Sequence, residues 1–134
     1  MNHFAAIAVC TGAGLGALLR WVLGIRLNPL FPTLPLGTLA ANLLGGLLMG
    51  LAMIALGRHP GLPPELRLFV MTGFLGGLTT FSTFSAEVVS QLARGEYFWG
   101  LGTAAAHLCG SLALTATGMA LAHLLLAALA PTQP

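Results

Sequence analysis

Long runs of apolar residues dominate the chain, and short polar or proline-containing segments divide them into four groups. A helix that crosses the hydrocarbon core of a bilayer needs about 20 apolar residues. The runs reach this length, so the pattern predicts four transmembrane helices at about 4–25, 34–56, 66–93 and 98–130. The segments between them are too short for a soluble domain. We therefore expect one four-helix transmembrane domain over residues 1–134, with both termini on the same side of the membrane.

The composition narrows the class of protein. Charged residues make up 6% of the chain and hydrophobic residues 57%, with a mean hydropathy of +0.92, whereas about 25% of an ordinary soluble domain is charged. So few charges cannot cover a soluble surface, which argues against a soluble enzyme and a disordered chain. The formal net charge is only +2, so no basic patch points to nucleic acid. We expect an all-α, multi-pass membrane protein of the cell (inner or plasma) membrane.

The arginines are balanced across the predicted topology. Arg58 and Arg67 flank the loop on the side that holds both termini, while Arg26 and Arg94 lie on the opposite side. Orientation follows the Lys/Arg bias of short loops, and two against two gives no bias. Either one charge dominates, or the chain inserts both ways and pairs with an inverted copy of itself. The second interpretation is favoured because so small a bundle needs a partner to enclose a pathway.

Small residues recur at the spacing of helix contacts. Gly12 and Gly16 form one G-x-x-x-G pair, and Gly46 and Gly50 form another. Such residues let helix backbones approach closely in lipid. The pattern predicts a packed bundle without indicating a function, and it continues in the fourth run at Gly102, Ala106 and Gly110.

Polar side chains inside the spans are costly in hydrocarbon and usually face an interior or a pathway. Thr38 and Asn42 lie one turn apart in the second run. In the fourth run a stripe of four polar residues has a spacing of four. Ordinary hydrogen bonding between helices explains any single Ser or Thr, but a continuous stripe favours a lined pathway with donors for a small hydrated anion. The stripe is Thr103, His107, Ser111 and Thr115.

The third run contains the most specific motif, GFLGGLTTFSTFS over residues 73–85. Two glycines followed by the β-branched Thr79 and Thr80 form a poor helix near the middle of the span, so we expect the third helix to break at the bilayer midplane. Free main-chain groups at that depth require partners: the carbonyls suit a hard cation and the N–H groups suit an anion. Beyond the break, Phe81 and Phe84 share one face. Phe pairs are usually plain packing, but their electropositive edges, interleaved with hydroxyls, can hold a bare anion weakly.

Three blocks together resemble the Fluc (CrcB-type) fluoride channel family across all four spans. Residues 12–21 (GAGLGALLRW) are similar to the first signature, with Ala13 and Trp21 where Gly and Tyr are frequent. Residues 37–50 (GTLAANLLGGLLMG) resemble the second, and residues 73–85 resemble the third almost throughout. The third block, in order with the others and in a chain of this length, is highly specific.

The resemblance implies a passive, fluoride-selective channel that lowers cytoplasmic fluoride, built as an antiparallel, dual-topology homodimer with two pores. It implies one structural Na⁺, not transported, on main-chain oxygens of Gly76 and Thr79. Asn42 is implied to contact the ion, and Phe81 and Phe84 to line its path. The polar track is implied to consist of Ser82, Thr83, Ser111 and Thr115.

Several residues keep open roles at this stage. Arg20 matches the family's arginine near the vestibule, and it either attracts anions or only anchors its helix at the interface. Glu87 either caps a polar network, shapes the vestibule or is protonated. His107 either donates to an anion or bonds a neighbouring helix. Cys10 and Cys109 have no metal or redox spacing, so we expect buried free thiols.

Two other classes of protein compete with the channel. A small proton-coupled multidrug-type exporter also has four helices. Its chemistry requires a carboxylate inside the membrane, normally early in the chain, whereas here Glu87 is the only carboxylate well inside a predicted span. A non-transporting scaffold leaves the break in the third run without a purpose. Neither class accounts for the three blocks together.

Overall fold

The computed structural model describes residues 3–129, and the described chain is helical throughout apart from its connections. Helix α1 covers His3–Leu27 and is followed by a short 3₁₀ turn, Asn28–Leu30; α2 covers Leu36–Gly57. The last helix, α6, covers Tyr97–Ala128 and has 32 residues. The predicted end of the fourth span at Ala130 lies outside the described residues.

The third span is assembled from several pieces. It begins with α3 (Pro64–Arg67), where proline at the first helical position costs no hydrogen bond. A π-helical stretch, Leu68–Leu75, leads into the short α4 (Gly76–Leu78). After two extended residues, α5 covers Phe81–Ala93. The span therefore consists of two helical halves joined by a short non-helical link.

Four segments of the described chain are long and apolar enough to cross a membrane. They are His3–Leu30, Leu36–Gly57, Pro64–Ala93 and Tyr97–Ala128. This confirms the prediction of an all-helical protein with four candidate membrane spans.

Glycines allow the main chains of these spans to touch. Gly16 lies against the backbone of α4, where an added Cβ would be 2.7 Å from the Leu78 nitrogen. Gly50 lies against the main chain of α6 in the same way, 2.8 Å from the Met119 nitrogen. The first two predicted small-residue pairs therefore mark real helix contacts. The continuation in α6 holds only in part. A Cβ added to Gly102 would meet nothing within 4 Å among the described residues outside its own helix backbone, whereas one added to Gly110 would lie 2.6 Å from Leu43 of α2.

The buried apolar core is small and central. Ala41, Leu75 and Leu78 form it, and partly buried side chains of α1, α2 and the π-helical stretch surround it. The core lies where α1, α2 and α4 meet, next to the link between the two halves of the third span. It fixes the position of that link against α2.

Candidate functional site

The link in the third span consists of two threonines with extended main chains. Thr79 has φ −81° and ψ 156°, and Thr80 has φ −149° and ψ 122°. The side chain of Thr80 caps the following helix, because its Oγ1 accepts from the amide of Thr83 at 3.1 Å. The hydroxyl of Thr79 donates back to the Leu75 carbonyl at 2.9 Å. Thr80, which weakens the helix, thus also satisfies one of the amides that the interruption frees, whereas the Leu75 carbonyl keeps its helical donor, the Thr79 amide, at 3.0 Å.

Asn42 on α2 binds both main-chain groups of Thr80. Its Oδ1 accepts from the Thr80 amide at 2.7 Å, and its Nδ2 donates to the Thr80 carbonyl at 2.9 Å. The same Nδ2 donates to Nδ1 of His107 at 3.0 Å. Asn42 is only 8% exposed, so its amide is held in one orientation by three hydrogen bonds. Asn42, predicted to contact an ion, therefore holds the link in place through these bonds, and we call it the clamp.

The clamp and the Thr80 cap together change the hydrogen bonding of two carbonyls. In a continuous α-helix, the carbonyl of residue i accepts from the amide of residue i+4. Here the Thr80 amide donates to Asn42 and the Thr83 amide donates to Thr80 Oγ1. The carbonyls of Gly76 and Thr79 therefore lose their ordinary helical donors. These are the two residues for which the sequence resemblance implies main-chain ligation.

Arg20 on α1 reaches the carbonyl of the intervening glycine. Its Nε donates to the Gly77 oxygen at 3.1 Å. Its side chain also lines a cavity of about 350 Å³ together with Thr38, Thr80 and Thr83. Arg20 therefore stabilises the carboxyl end of the first half-helix and also brings a positive charge to this cavity.

The aromatic residues beyond the link form a stack with a histidine. Phe81 and Phe84 meet edge to face, with ring centroids 5.4 Å apart and an interplanar angle of 74°. Phe84 in turn stacks on His107 of α6, with centroids 4.6 Å apart and an angle of 23°. Phe81 is 79% exposed on the surface of the single chain. The predicted pair does share a face, and the sequence did not indicate that His107 would join it.

A cavity of about 340 Å³ brings most of the predicted pathway residues together. The link, the clamp and the aromatic pair line it together with three members of the polar stripe of α6, whereas the fourth member, Thr103, is fully buried and does not line it. Ser82 does not line this cavity, and its hydroxyl oxygen lies 3.3 Å from that of Thr80. Thr83 lines the other cavity, the one beside Arg20. Predicted residues that line the cavity are Asn42, Thr79, Phe81, Phe84, His107, Ser111 and Thr115.

Glu87 is bound to the second helix. Its Oε1 accepts from the hydroxyl of Thr38 at 2.6 Å. Its Oε2 is buried and has no hydrogen-bond partner among residues 3–129. Thr103 Oγ1 and His107 Nε2 on α6 share this condition within the described chain. With Gln91 Oε1, four buried polar atoms of α5 and α6 are therefore without a hydrogen-bond partner among residues 3–129.

Two polar residues that the sequence did not single out position the ends of the helices. Asn28 Oδ1 accepts from the amides of Gly37 and Thr38 and so caps the start of α2. Gln91 Nε2 donates to the carbonyl of Thr33 and ties α5 to the loop before α2. The three bonds span 9, 10 and 58 residues, beyond the reach of the pattern within one helix.

The cysteines differ from expectation. Cys10 and Cys109 are free thiols, as predicted, but both are exposed on the surface of the chain rather than buried. Each lies on the outer face of a membrane span, where a small apolar side chain suits contact with lipid or with another chain.

Comparison with known proteins identifies the family. A family model described as CrcB-like protein, Camphor Resistance (CrcB), matches residues 7–119. A protein of Burkholderia cenocepacia named fluoride-specific ion channel FluC is 59% identical over 125 residues, which cover 93% of this chain and 98% of the relative. A protein of the same name from Burkholderia pseudomallei is 59% identical over 116 residues, covering 87% and 91% of the two chains. The chain belongs to the CrcB family.

Proposed function

We propose that the protein is a fluoride-selective channel through which fluoride leaves the cytoplasm passively. The observation that carries the proposal is the cavity between the link and α6, where hydroxyls and phenyl edges meet without a full positive charge. The function in the names of relatives at 59% identity supports it. Membership of the family also supports this reading over a proton-coupled exporter.

The lining of the cavity suits a small, strongly hydrated anion. Such an ion gives up water only if hydrogen-bond donors replace it, and it leaves again only if binding is weak. Ser111 lines the cavity with a hydroxyl that can donate, whereas the Thr115 hydroxyl beside it donates to the Ser111 carbonyl at 2.9 Å; the paired rings of Phe81 and Phe84 also line the cavity. Aromatic ring edges are electropositive without carrying a formal charge. They therefore attract an anion without trapping it.

A second, inverted copy of the chain completes the proposed channel. Phe81 is 79% exposed although it belongs to the candidate pathway. An antiparallel homodimer would cover this face and enclose a path on each side of its axis. The balanced Arg26, Arg58, Arg67 and Arg94 support insertion in both orientations. A reporter fused to the C-terminus would then be active on both sides of the membrane, and activity on one side alone would overturn dual topology.

We place one structural Na⁺ at the interruption, which we propose lies at the midplane of the bilayer. The carbonyls of Gly76 and Thr79 are suitable ligands, because the amides of Thr80 and Thr83 are bonded elsewhere. The described residues contain no group of three His, Cys, Asp or Glu that would favour a transition metal. When bound, the ion would supply one fixed positive charge and hold the two half-helices together.

The direction of flow follows from the chemistry of the ion. Hydrogen fluoride is a weak acid that crosses membranes as a neutral molecule and ionises in a near-neutral cytoplasm, which traps the anion. In the inner or plasma membrane, a negative-inside potential favours exit of an anion by about 2.3 kcal/mol per 100 mV. A passive pore is therefore sufficient to lower cytoplasmic fluoride.

Fluoride efflux from liposomes containing the purified protein tests the proposal, with chloride as the control anion. Wild type is expected to release fluoride and retain chloride. Phe81→Ile is expected to abolish the release, because isoleucine has no electropositive edge. Phe98→Ile is the matched control, since Phe98 is 80% exposed but lies at the start of α6, away from the cavity. A folded wild-type protein that carries no fluoride would refute the channel and favour an exporter or a scaffold.

A further inference from the structure

An apolar cavity of about 410 Å³ lies near the end of the bundle where α2 and α6 finish and the third span begins. We call it the apolar groove. Its walls come from residues 48–56 of α2, 70–75 of the π-helical stretch and 122–126 of α6, and every lining residue is Leu, Ala, Val or Phe. It runs for about 12 Å along α2, at 1.5 Å per residue. Its volume is within the range of about 300–1,000 Å³ that is typical of ligand cavities.

The deep end of the groove reaches the structural core. Leu75 lines it although that residue is only 1% exposed, and the Leu75 carbonyl accepts from the amide and the hydroxyl of Thr79. All three walls belong to candidate membrane spans, so the apolar molecules that surround them in a bilayer are lipid acyl chains. An empty apolar cavity forfeits the dispersion contacts of its lining. An acyl chain in the groove would restore them and support the helix that leads to the link.

A basic side chain lies beside each wall of the groove. On α2, Arg58 lies two residues beyond the last lining position; in the third span, Arg67 lies three residues before the first; on α6, His123 adjoins a lining alanine. Arg67 donates to the carbonyl of Leu56, itself a groove residue, at 2.9 Å. Arg58 donates to Nδ1 of His123 at 3.4 Å, because a guanidinium cannot accept. These bonds hold two guanidinium groups at the mouth of the groove.

The positive charge at the mouth is not neutralised within the described chain. Among residues 3–129, neither Arg58 nor Arg67 forms a salt bridge. Glu65 lies two residues before Arg67, and helix positions two apart do not face each other. A guanidinium has five N–H donors and binds a phosphate with two of them. Both arginines therefore keep donors for a phosphate group.

The groove is separate from the candidate pathway. It shares no lining residue with the cavity of about 340 Å³. On α2, the residues that line the two cavities point roughly 100° apart, at about 100° per residue. A second copy seated over Phe81 would therefore cover a different face of α2, which leaves the groove to the surrounding bilayer.

We propose that the groove binds one anionic phospholipid, with an acyl chain between its three walls and a phosphate on Arg58 and Arg67. Apolar walls with a basic mouth match the two parts of such a lipid. Both arginines repel the ammonium group of a zwitterionic lipid, which favours an anionic headgroup. The bound lipid joins the ends of three spans beside the helix that carries Leu75. In the proposed inverted pair, each copy offers one such site, so there is one in each leaflet.

Native mass spectrometry of the purified protein tests the charge, in titrations with phosphatidylglycerol or with phosphatidylcholine of the same acyl chains. We expect one phosphatidylglycerol per chain, with a Kd at least about tenfold lower than for phosphatidylcholine, the effect of one hydrogen bond between charged groups. Arg58→Gln should raise the Kd for phosphatidylglycerol by about tenfold and leave that for phosphatidylcholine nearly unchanged. Arg26→Gln is the matched control, because Arg26 is exposed at the opposite end of the bundle; its Kd should stay within about twofold of wild type.

A second pair of variants tests the groove itself. Ala55→Leu fills part of the cavity without changing the charge, and it should weaken the binding of both lipids by at least about fivefold. Ala105→Leu makes the same change at an exposed position of α6 away from the groove, and it should leave both affinities unchanged. The helical circular dichroism signal shows that the variants are folded.

The outcomes separate the possible occupants. Equal affinity of wild type for the two lipids, or equal weakening by Arg58→Gln and Arg26→Gln, would overturn the proposal in favour of unspecific adsorption. A folded Ala55→Leu that binds both lipids like wild type would also overturn it. If that variant instead loses its partner copy but keeps the lipid, the groove is a contact between two copies. If it does not fold, the two arginine variants decide alone. None of these measurements involves fluoride, so they stand whether or not the proposed channel conducts it.

Discussion

Replacing Asn42 by alanine tests the clamp on the third span directly. The change removes the acceptor of the Thr80 amide and the donor to the Thr80 carbonyl, at 2.7 and 2.9 Å. Neither group has a helical alternative, because Thr79 and Thr80 are extended. Asn42 is 8% exposed, so its loss leaves both Thr80 groups in a largely buried position.

The size of the effect can be worked out in two ways. Two main-chain groups left without partners cost about 1–3 kcal/mol each, or roughly 2–6 kcal/mol together. Side-chain hydrogen bonds between membrane helices average only about 0.6 kcal/mol each, so the three bonds of Asn42 would give about 2 kcal/mol. Both routes predict a loss of at least about 2 kcal/mol, and the first is the better guide because the Thr80 groups are main chain in an interrupted helix.

Unfolding by SDS in mixed micelles, followed by the helical circular dichroism signal, measures this loss. Thr117→Val is the matched control: Thr117 is exposed on α6 and its hydroxyl donates only to the Ala113 carbonyl of its own helix. Its stability should change by less than about 0.5 kcal/mol. If Asn42→Ala falls within the same margin, the clamp does not hold the link and the reasoning is wrong.

Two further predictions concern packing and charge. Gly50→Ala places a methyl group against the main chain of α6 and should destabilise the protein by about 1–3 kcal/mol in the same assay. In Gly57→Ala the new methyl group meets nothing within 4 Å among the described residues outside its own helix backbone, so the stability should not change. In the loop outside the spans, two hydrogen bonds from Arg94 hold the pKa of Glu96 below its usual value. Arg94→Gln should raise that pKa toward the ordinary range, so the carboxylate protonates at a higher pH in an NMR titration; an unchanged titration would count against the ion pair.

The sequence predicts well what depends on local pattern. Four spans follow from apolar length, because lipid tolerates only helices whose main chains are satisfied internally. The shared face of Phe81 and Phe84 follows from their spacing within one helix. The two early glycine pairs also mark real contacts, since close approach in lipid requires small residues.

The sequence predicts poorly what depends on how helices are paired. The stacking of His107 on Phe84 and the capping of α2 by Asn28 join residues from different segments. Thr83 and Ser111 belong to one predicted track, yet the structure places them in different cavities on the two sides of the link. Spacing gives the face of a residue on its own helix, but the neighbour of that face is set by the bundle.

The length of α6 has a consequence for the membrane around the protein. At 1.5 Å per residue, its 32 residues extend for about 48 Å, whereas the hydrocarbon core is about 30 Å thick. The helix must therefore tilt or project into the headgroups, and Tyr97, Phe98 and Trp99 at its start are suited to anchor there. Because α6 carries His107, Ser111 and Thr115, a change in bilayer thickness would alter the slope of these residues, and we expect lipid chain length to affect permeation through the proposed channel.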